Sequence, residues 1–166
     1  MATADTVQLH LLRHADAGDP AAWTGSDDVR PLSAKGEKQS ERLGRFLAGV
    51  GFRPDAIITS PKLRAARTAE IVAEALEVKV TTDERLGGSL DLVAIEAILF
   101  DAGLPMRPVL VGHDPDLSDL LGELCGTSNV PMRKGAFARI DVERPFEPGG
   151  GTLRWLVPPD LLKPER

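Results

Sequence analysis

Three separated runs of this chain end in residues suited to binding or attacking phosphate: Leu12-Arg13-His14, Ser60-Pro61-Lys62-Leu63-Arg64 and Val111-Gly112-His113. Together they would set two histidines beside two arginines. Two guanidiniums side by side repel unless an anion lies between them, and their planar donor forks match phosphate oxygens. A histidine in that company has its charged form disfavoured by like charge, so the neutral, nucleophilic imidazole dominates at pH 7. The same cationic surroundings disfavour a divalent metal, so a metal hydrolase fits these residues poorly.

Each run is a short apolar stretch that ends in a polar residue and leads into a loop or a helical pattern. Hydrophobic periodicity predicts strands over residues 7–12, 55–60, 78–82 and 108–112, and helices over 33–48, 61–76, 90–102 and 114–125. Ser60-Pro61 reads as an N-cap with proline at the first helical position, and Asp114-Pro115 as the opening of the last helix. Later strands over 136–142 and 152–157 flank a Pro/Gly turn and form an antiparallel edge. The alternation predicts an α/β fold, a three-layer α/β/α sandwich around a mostly parallel sheet. In such a sheet the C-terminal strand ends open on one crevice, which is where the three runs meet. Helix N-termini there add N–H groups and positive dipole ends, so phosphate is the natural occupant.

Residues 15–32 form a long loop rich in Asp, Gly and Pro, a length usually tied to function or mobility. From it Asp16, Asp27, Asp28 and Arg30 could reach the pocket rim, Arg30 as a third phosphate ligand and an aspartate as proton donor. Arg67, one turn past Arg64, reads as solvent-facing or paired with an acid. His10 is out of step with His14 and reads as a packed or partly exposed strand residue. Trp23 reads as cover for the loop and Trp155 as sheet packing.

The 166 residues, 42% hydrophobic and 27% charged, suit one compact domain with its core over about residues 7–158. A net charge of -5 argues against binding nucleic acid or an anionic membrane. The single cysteine, Cys125, rules out an intramolecular disulfide and a cysteine-based zinc site, and reads as a small core residue. The start lacks a basic, apolar leader, and no run approaches the about 18 apolar residues of a membrane span. A monomeric cytoplasmic protein is the expectation.

The runs Leu11-Leu12-Arg13-His14-Ala15, Thr59-Ser60-Pro61-Lys62-Leu63-Arg64-Ala65-Ala66-Arg67-Thr68-Ala69 and Val111-Gly112-His113-Asp114-Pro115 resemble, in that order, the three signatures of the histidine phosphatase superfamily. That family has a phosphoglycerate mutase-like fold. The link Val29-Arg30-Pro31-Leu32-Ser33-Ala34-Lys35-Gly36, the short length and the late Pro131-Met132-Arg133-Lys134-Gly135-Ala136 resemble its SixA-type phosphohistidine phosphatase branch. The resemblance covers about residues 7–142 and implies a single histidine phosphatase domain. It implies that His14 attacks phosphorus in line and is transiently phosphorylated, while Arg13, Arg64 and His113 bind the phosphoryl oxygens. No metal or organic cofactor is implied.

Many members carry a glutamate after the third strand, within a longer insertion, that protonates the leaving oxygen. Here Thr82-Asp83-Glu84-Arg85-Leu86-Gly87-Gly88 occupies that region without the insertion, and Glu84 is the candidate acid. A site without the insertion is open and shallow. It suits a phosphorylated side chain on a partner protein, or a small phosphoester, and argues against mutase activity. Two kinds of function follow: a phosphatase acting on phosphohistidine or a small phosphomonoester, and a phosphate- or phosphoprotein-binding module with weak catalysis.

Overall fold

The first strand, β1 (Thr6–Arg13), sends Val7, Leu9 and Leu11 to one face and Leu12 to the other, and both faces are buried. Burial on both sides is what a strand covered by helices on each face requires. In the computed structural model, which describes residues 6–164, β1 lies inside a six-stranded sheet. Its order is β3-β2-β4-β1-β5-β6, with β2 (Ala56–Thr59), β3 (Val80–Thr82), β4 (Pro108–Gly112), β5 (Phe137–Glu143) and β6 (Gly151–Val157). β1 to β4 run parallel, and β5 and β6 add the antiparallel edge.

Period-2 alternation divides the core in two. Leu9, Leu11, Ile58 and Leu110 face α3 (Leu92–Asp101) and α4 (Asp116–Cys125), whose Ile95, Ile98, Leu117 and Leu121 are buried against them. Leu12, Ile57, Val109 and Val111 face α1 (Ala34–Gly49) and α2 (Leu63–Leu76), which supply Leu43, Leu47, Ala69 and Val72. The result is the expected α/β/α sandwich, with the C-terminal ends of β1, β2 and β4 side by side through their shared registers. His10 belongs to the second face: it is buried, stacks on Phe137 at 5.5 Å and places Nδ1 3.0 Å from the Pro108 carbonyl.

The four helices begin one or two residues later than their sequence reading, and at two of them the local bonding differs as well. Ser60 does not cap α2, which begins at Leu63 behind Lys62 with no side-chain cap; its Oγ accepts the Lys62 N–H ahead of the helix and lies beside His113 Nε2. α4 begins at Asp116, and the Asp114 carboxylate accepts the backbone N–H (3.1 Å) and the hydroxyl (2.6 Å) of Ser118. Between β3 and α3 the chain spans only residues 83–91, built around a tight turn at Glu84–Gly87. Among the described residues no helix is long and apolar enough to cross a membrane.

Candidate active site

His14 follows the last residue of β1, and hydrogen bonds fix the backbone of residues 14–16. Its N–H donates to the Gly112 carbonyl (3.0 Å), and its own carbonyl accepts the Gly135 N–H (3.0 Å). The next residue, Ala15, donates its N–H to Thr68 Oγ1 on α2 (3.1 Å), and Asp16 donates its N–H to Gln39 Oε1 on α1 (2.9 Å). The first turn of α1 packs directly on this segment: a Cβ on Gly36 would fall 1.9 Å from the Asp16 carbonyl oxygen. Only glycine permits that approach.

The imidazole of His14 is buried, and its Nδ1 lies 2.8 Å from the Ala15 carbonyl. A carbonyl can only accept, so Nδ1 carries the proton and the Nε2 lone pair is free. His113 lies beside it, with ring centroids 5.2 Å apart. Its Nε2 is 2.7 Å from Ser60 Oγ, which itself accepts the Lys62 N–H at 3.2 Å. The Ser60 hydroxyl still has its hydrogen to give, and donating it to Nε2 puts the His113 proton on Nδ1. Burial holds the pKa of His14 down to about 3, with His113, Arg64 and Arg13 pushing the same way. Burial likewise lowers His113 to about 4, helped by Arg64 and Lys62 and opposed by Asp27. Both rings are neutral at pH 7, as expected, but desolvation outweighs the like-charge effect read from the sequence.

Arg64 is buried and enters from the first turn of α2; Arg13 comes from the end of β1. Each guanidinium already has a carboxylate from another segment. Arg13 donates to the Met132 carbonyl (2.8 Å) and lies 3.5 Å from Asp114. Arg64 donates to the Asp27 carbonyl (2.8 Å) and to its carboxylate (3.0 Å). Three buried side-chain atoms among the described residues lack a hydrogen-bond partner: Arg13 Nε, Arg64 Nε and His113 Nδ1. All three are N–H donors, and all three belong to this one site. Buried donors without acceptors are rare in folded proteins, and a cluster of them is suited to binding an anion.

The other candidates have surroundings of their own. Arg30 is buried but turned into its own loop, with Nε on Asp27 (3.1 Å) and a terminal nitrogen on the Ala17 carbonyl (2.7 Å). Glu84 is exposed on the turn after β3, while Gly87 of that turn packs on Ser60 and Pro61. Asp16 has its carboxylate on the Ser33 hydroxyl (2.6 Å) and near Lys134 (3.8 Å). Asp28 is exposed. Arg67 pairs with Glu37 (3.1 Å) and Glu70 (3.5 Å), the acid-paired alternative of its reading. Trp23 is partly exposed and donates its indole N–H to the Ser26 carbonyl (2.9 Å) within the first loop. Missed in the sequence were the parts of Ser60 and Asp114: the first was visible only as a helix cap, the second only as a helix start. No group of three or more His, Cys, Asp or Glu gathers at metal-binding distance among the described residues.

Similarity to known proteins extends over nearly the whole chain. Residues 9–88 match the model of the histidine phosphatase superfamily (branch 1). The phosphohistidine phosphatase SixA of Escherichia coli (strain K12) is 31% identical over 163 residues, covering 95% of this chain and 97% of that protein. A structure of the protein histidine phosphatase SixA complexed with tungstate superposes with a TM-score of 0.80 at 28% identity, over 95% of this chain and 100% of that one. A 2,3-bisphosphoglycerate-dependent phosphoglycerate mutase of Thermobifida fusca shares 47% identity over only 68 residues, 40% of this chain and 27% of the mutase. With its fold, its site and its nearly full-length kinship in agreement, this chain belongs to the histidine phosphatase superfamily.

Proposed function

We propose that this protein is a phosphohistidine phosphatase, acting on phosphorylated histidine side chains of partner proteins with His14 as its nucleophile. In the first step the His14 Nε2 lone pair attacks phosphorus in line. The substrate N–P bond breaks, and its electron pair leaves with the substrate imidazole. Water then attacks phosphorus on phospho-His14, the second N–P bond breaks, and inorganic phosphate is released. Arg13, Arg64 and the His113 Nδ1–H hold the non-bridging oxygens and stabilise charge as it shifts between them.

The observation that carries this reading is the trio of buried, partnerless donors around a histidine whose lone pair is fixed on Nε2. The short passage from β3 to α3 leaves no insertion to wall the site, which suits a side chain presented by another protein. Similarity to the phosphohistidine phosphatase SixA supports an N–P substrate over an ester. In this reading Arg30 braces the first loop, and exposed Glu84 has no required step, because an imidazole leaves more readily than an alkoxide.

The test is to mix the protein with a histidine-phosphorylated carrier protein and follow phosphate release. Rapid quenching should trap acid-labile phosphate on His14. Full activity in His14→Ala would sink the proposal; phosphate binding without turnover would favour a binding module instead.

A further inference from the structure

Among the described residues, Asp27 is the one carboxylate that touches the phosphate-binding guanidinium of Arg64. Its Oδ2 accepts from Arg64 at 3.0 Å, its Oδ1 accepts from Arg30 Nε at 3.1 Å, and its carbonyl takes a second Arg64 donor at 2.8 Å. The Arg64 side chain is 7% exposed whereas that of Asp27 is 54% exposed. Asp27 therefore lies outward of Arg64, between the buried pocket and solvent. His14 is buried as well, close enough to Arg64 to feel its charge. An in-line attack from that depth drives the leaving group outward, toward the mouth where Asp27 stands.

We propose that Asp27 is a specificity-determining residue: it meets the leaving group as a hydrogen-bond acceptor and selects a protonated imidazole over an ester oxygen. The inference rests on the phosphohistidine reading above. A phosphorylated imidazole carries its proton on the nitrogen not bonded to phosphorus, and this protonated form loses its phosphoryl group most readily. The P–N bond breaks, its electron pair returns to the ring, and the ring departs as neutral imidazole with that N–H intact. No proton is transferred to or from Asp27 in the step. An ester oxygen needs the opposite, a group that gives a proton as the bond breaks. Asp27 cannot do this in its resting state, since the hydrogen bond from Arg30, reinforced by Arg64, holds its carboxyl below the usual carboxylate range.

The charged groups facing Asp27 are Arg64 from α2 and Arg30 from its own loop, with the His113 ring near enough to feel its charge. The arginines keep it ionised, and its outer, exposed side is left for the substrate ring. A negative charge there also favours the protonated, reactive form of that ring. Asp27→Asn keeps the size and loses the charge.

The experiment compares hydrolysis of phosphoimidazole and of p-nitrophenyl phosphate, whose leaving group needs no proton, by wild type, Asp27→Asn and Asp27→Glu, with orthovanadate affinity measured for each. The expected result is a fall of at least tenfold in the phosphoimidazole to aryl phosphate ratio of kcat/KM for Asp27→Asn. Its phosphoimidazole rate should also be lost at a lower pH than in wild type, Asp27→Glu should restore part of the ratio, and vanadate should still bind. An equal fall on both substrates with weakened vanadate binding would make Asp27 only a brace for Arg64 and overturn the inference. An unchanged ratio would overturn it as well. A wild type inactive on phosphoimidazole and on phosphohistidine protein, yet active on the aryl ester, would remove the phosphohistidine reading and this inference with it.

Discussion

Ser60 Oγ lies 2.7 Å from His113 Nε2 while accepting the Lys62 N–H at 3.2 Å, so one hydroxyl decides which nitrogen of His113 faces the pocket. The Lys62 N–H uses one of the hydroxyl's two lone pairs and leaves its hydrogen to be given, and donation of that hydrogen to Nε2 places the His113 proton on the buried, partnerless Nδ1. Ser60→Ala removes this control but leaves the ring in place. Loss of a single transition-state donor costs about 10²–10³-fold, and partial loss of orientation less, so kcat/KM should fall about tenfold. Ser60→Thr, which keeps the hydroxyl, should recover most of it. Steady-state kinetics with an aryl phosphate decide the matter; wild-type kinetics in Ser60→Ala would show that the tautomer is set elsewhere.

The arginines should separate by where their free donors point. Arg13 and Arg64 each keep a buried Nε without a partner, whereas Arg30 engages Asp27 and Ala17 inside its own loop. A lysine retains the charge but not the planar fork. Arg13→Lys and Arg64→Lys should each lower kcat by about 10²-fold. Arg30→Lys should act through the loop and lower kcat/KM by less than about tenfold. If Arg30→Lys matched Arg64→Lys, Arg30 would be a phosphate ligand after all.

All three histidines of the chain, His10, His14 and His113, are buried, and each has a pKa pulled below the ordinary value of 6.5, to about 4, about 3 and about 4. Burial is the first cause in every case. Below pH 6.5 the unfolded chain takes up protons at these sites and the folded chain does not. The unfolded state then binds more protons, so stability falls as pH falls from 6.5 toward 3, and is fully present above 6.5. Each histidine can remove up to about 2 kcal/mol between pH 6.5 and pH 5. Urea unfolding at those two pH values should show the loss before most carboxylates titrate. His10→Phe, which keeps a ring against Phe52 and Phe137, should make the pH dependence shallower. A flat profile from pH 7 to pH 5 would mean that the rings are protonated in the fold.

The layers of the fold and the members of the site were legible in the sequence for different reasons. β4 is apolar at Val109, Leu110 and Val111, all buried, and its predicted span of 108–112 is the one observed. β3 is shorter than its reading because only Val80–Thr82 pair with β2 at the sheet edge, where burial imposes little pattern. His14, Arg13, Arg64 and His113 were reachable because strand ends converge in any open α/β sheet. The Asp27–Arg64 pair was not, since periodicity says nothing about the course of residues 15–32 before they return to α2. Ser60 was misread for a related reason: the same serine signals a helix cap or a histidine partner, and only the fold brings His113 within reach.

Gly36 tests how tightly the helical layer holds the nucleophile. At an unconstrained helix position alanine is favoured over glycine by up to about 1 kcal/mol. Gly49, at the end of the same helix, has nothing within 4 Å of an added Cβ, so Gly49→Ala should be neutral or stabilising. At Gly36 the added Cβ would stand 1.9 Å from the Asp16 carbonyl oxygen and 3.0 Å from its nitrogen, both backbone atoms. The clash can be relieved only by moving α1 away or by shifting the backbone two residues after His14. Overpacking of this kind costs about 1–3 kcal/mol, more than the propensity gain. Gly36→Ala should therefore lower the thermal midpoint while Gly49→Ala does not. Its kcat/KM should also fall at a temperature where the variant is fully folded, because His14 shares the displaced segment. A Gly36→Ala protein with unchanged midpoint and activity would show that the α1 contact does not position the nucleophile.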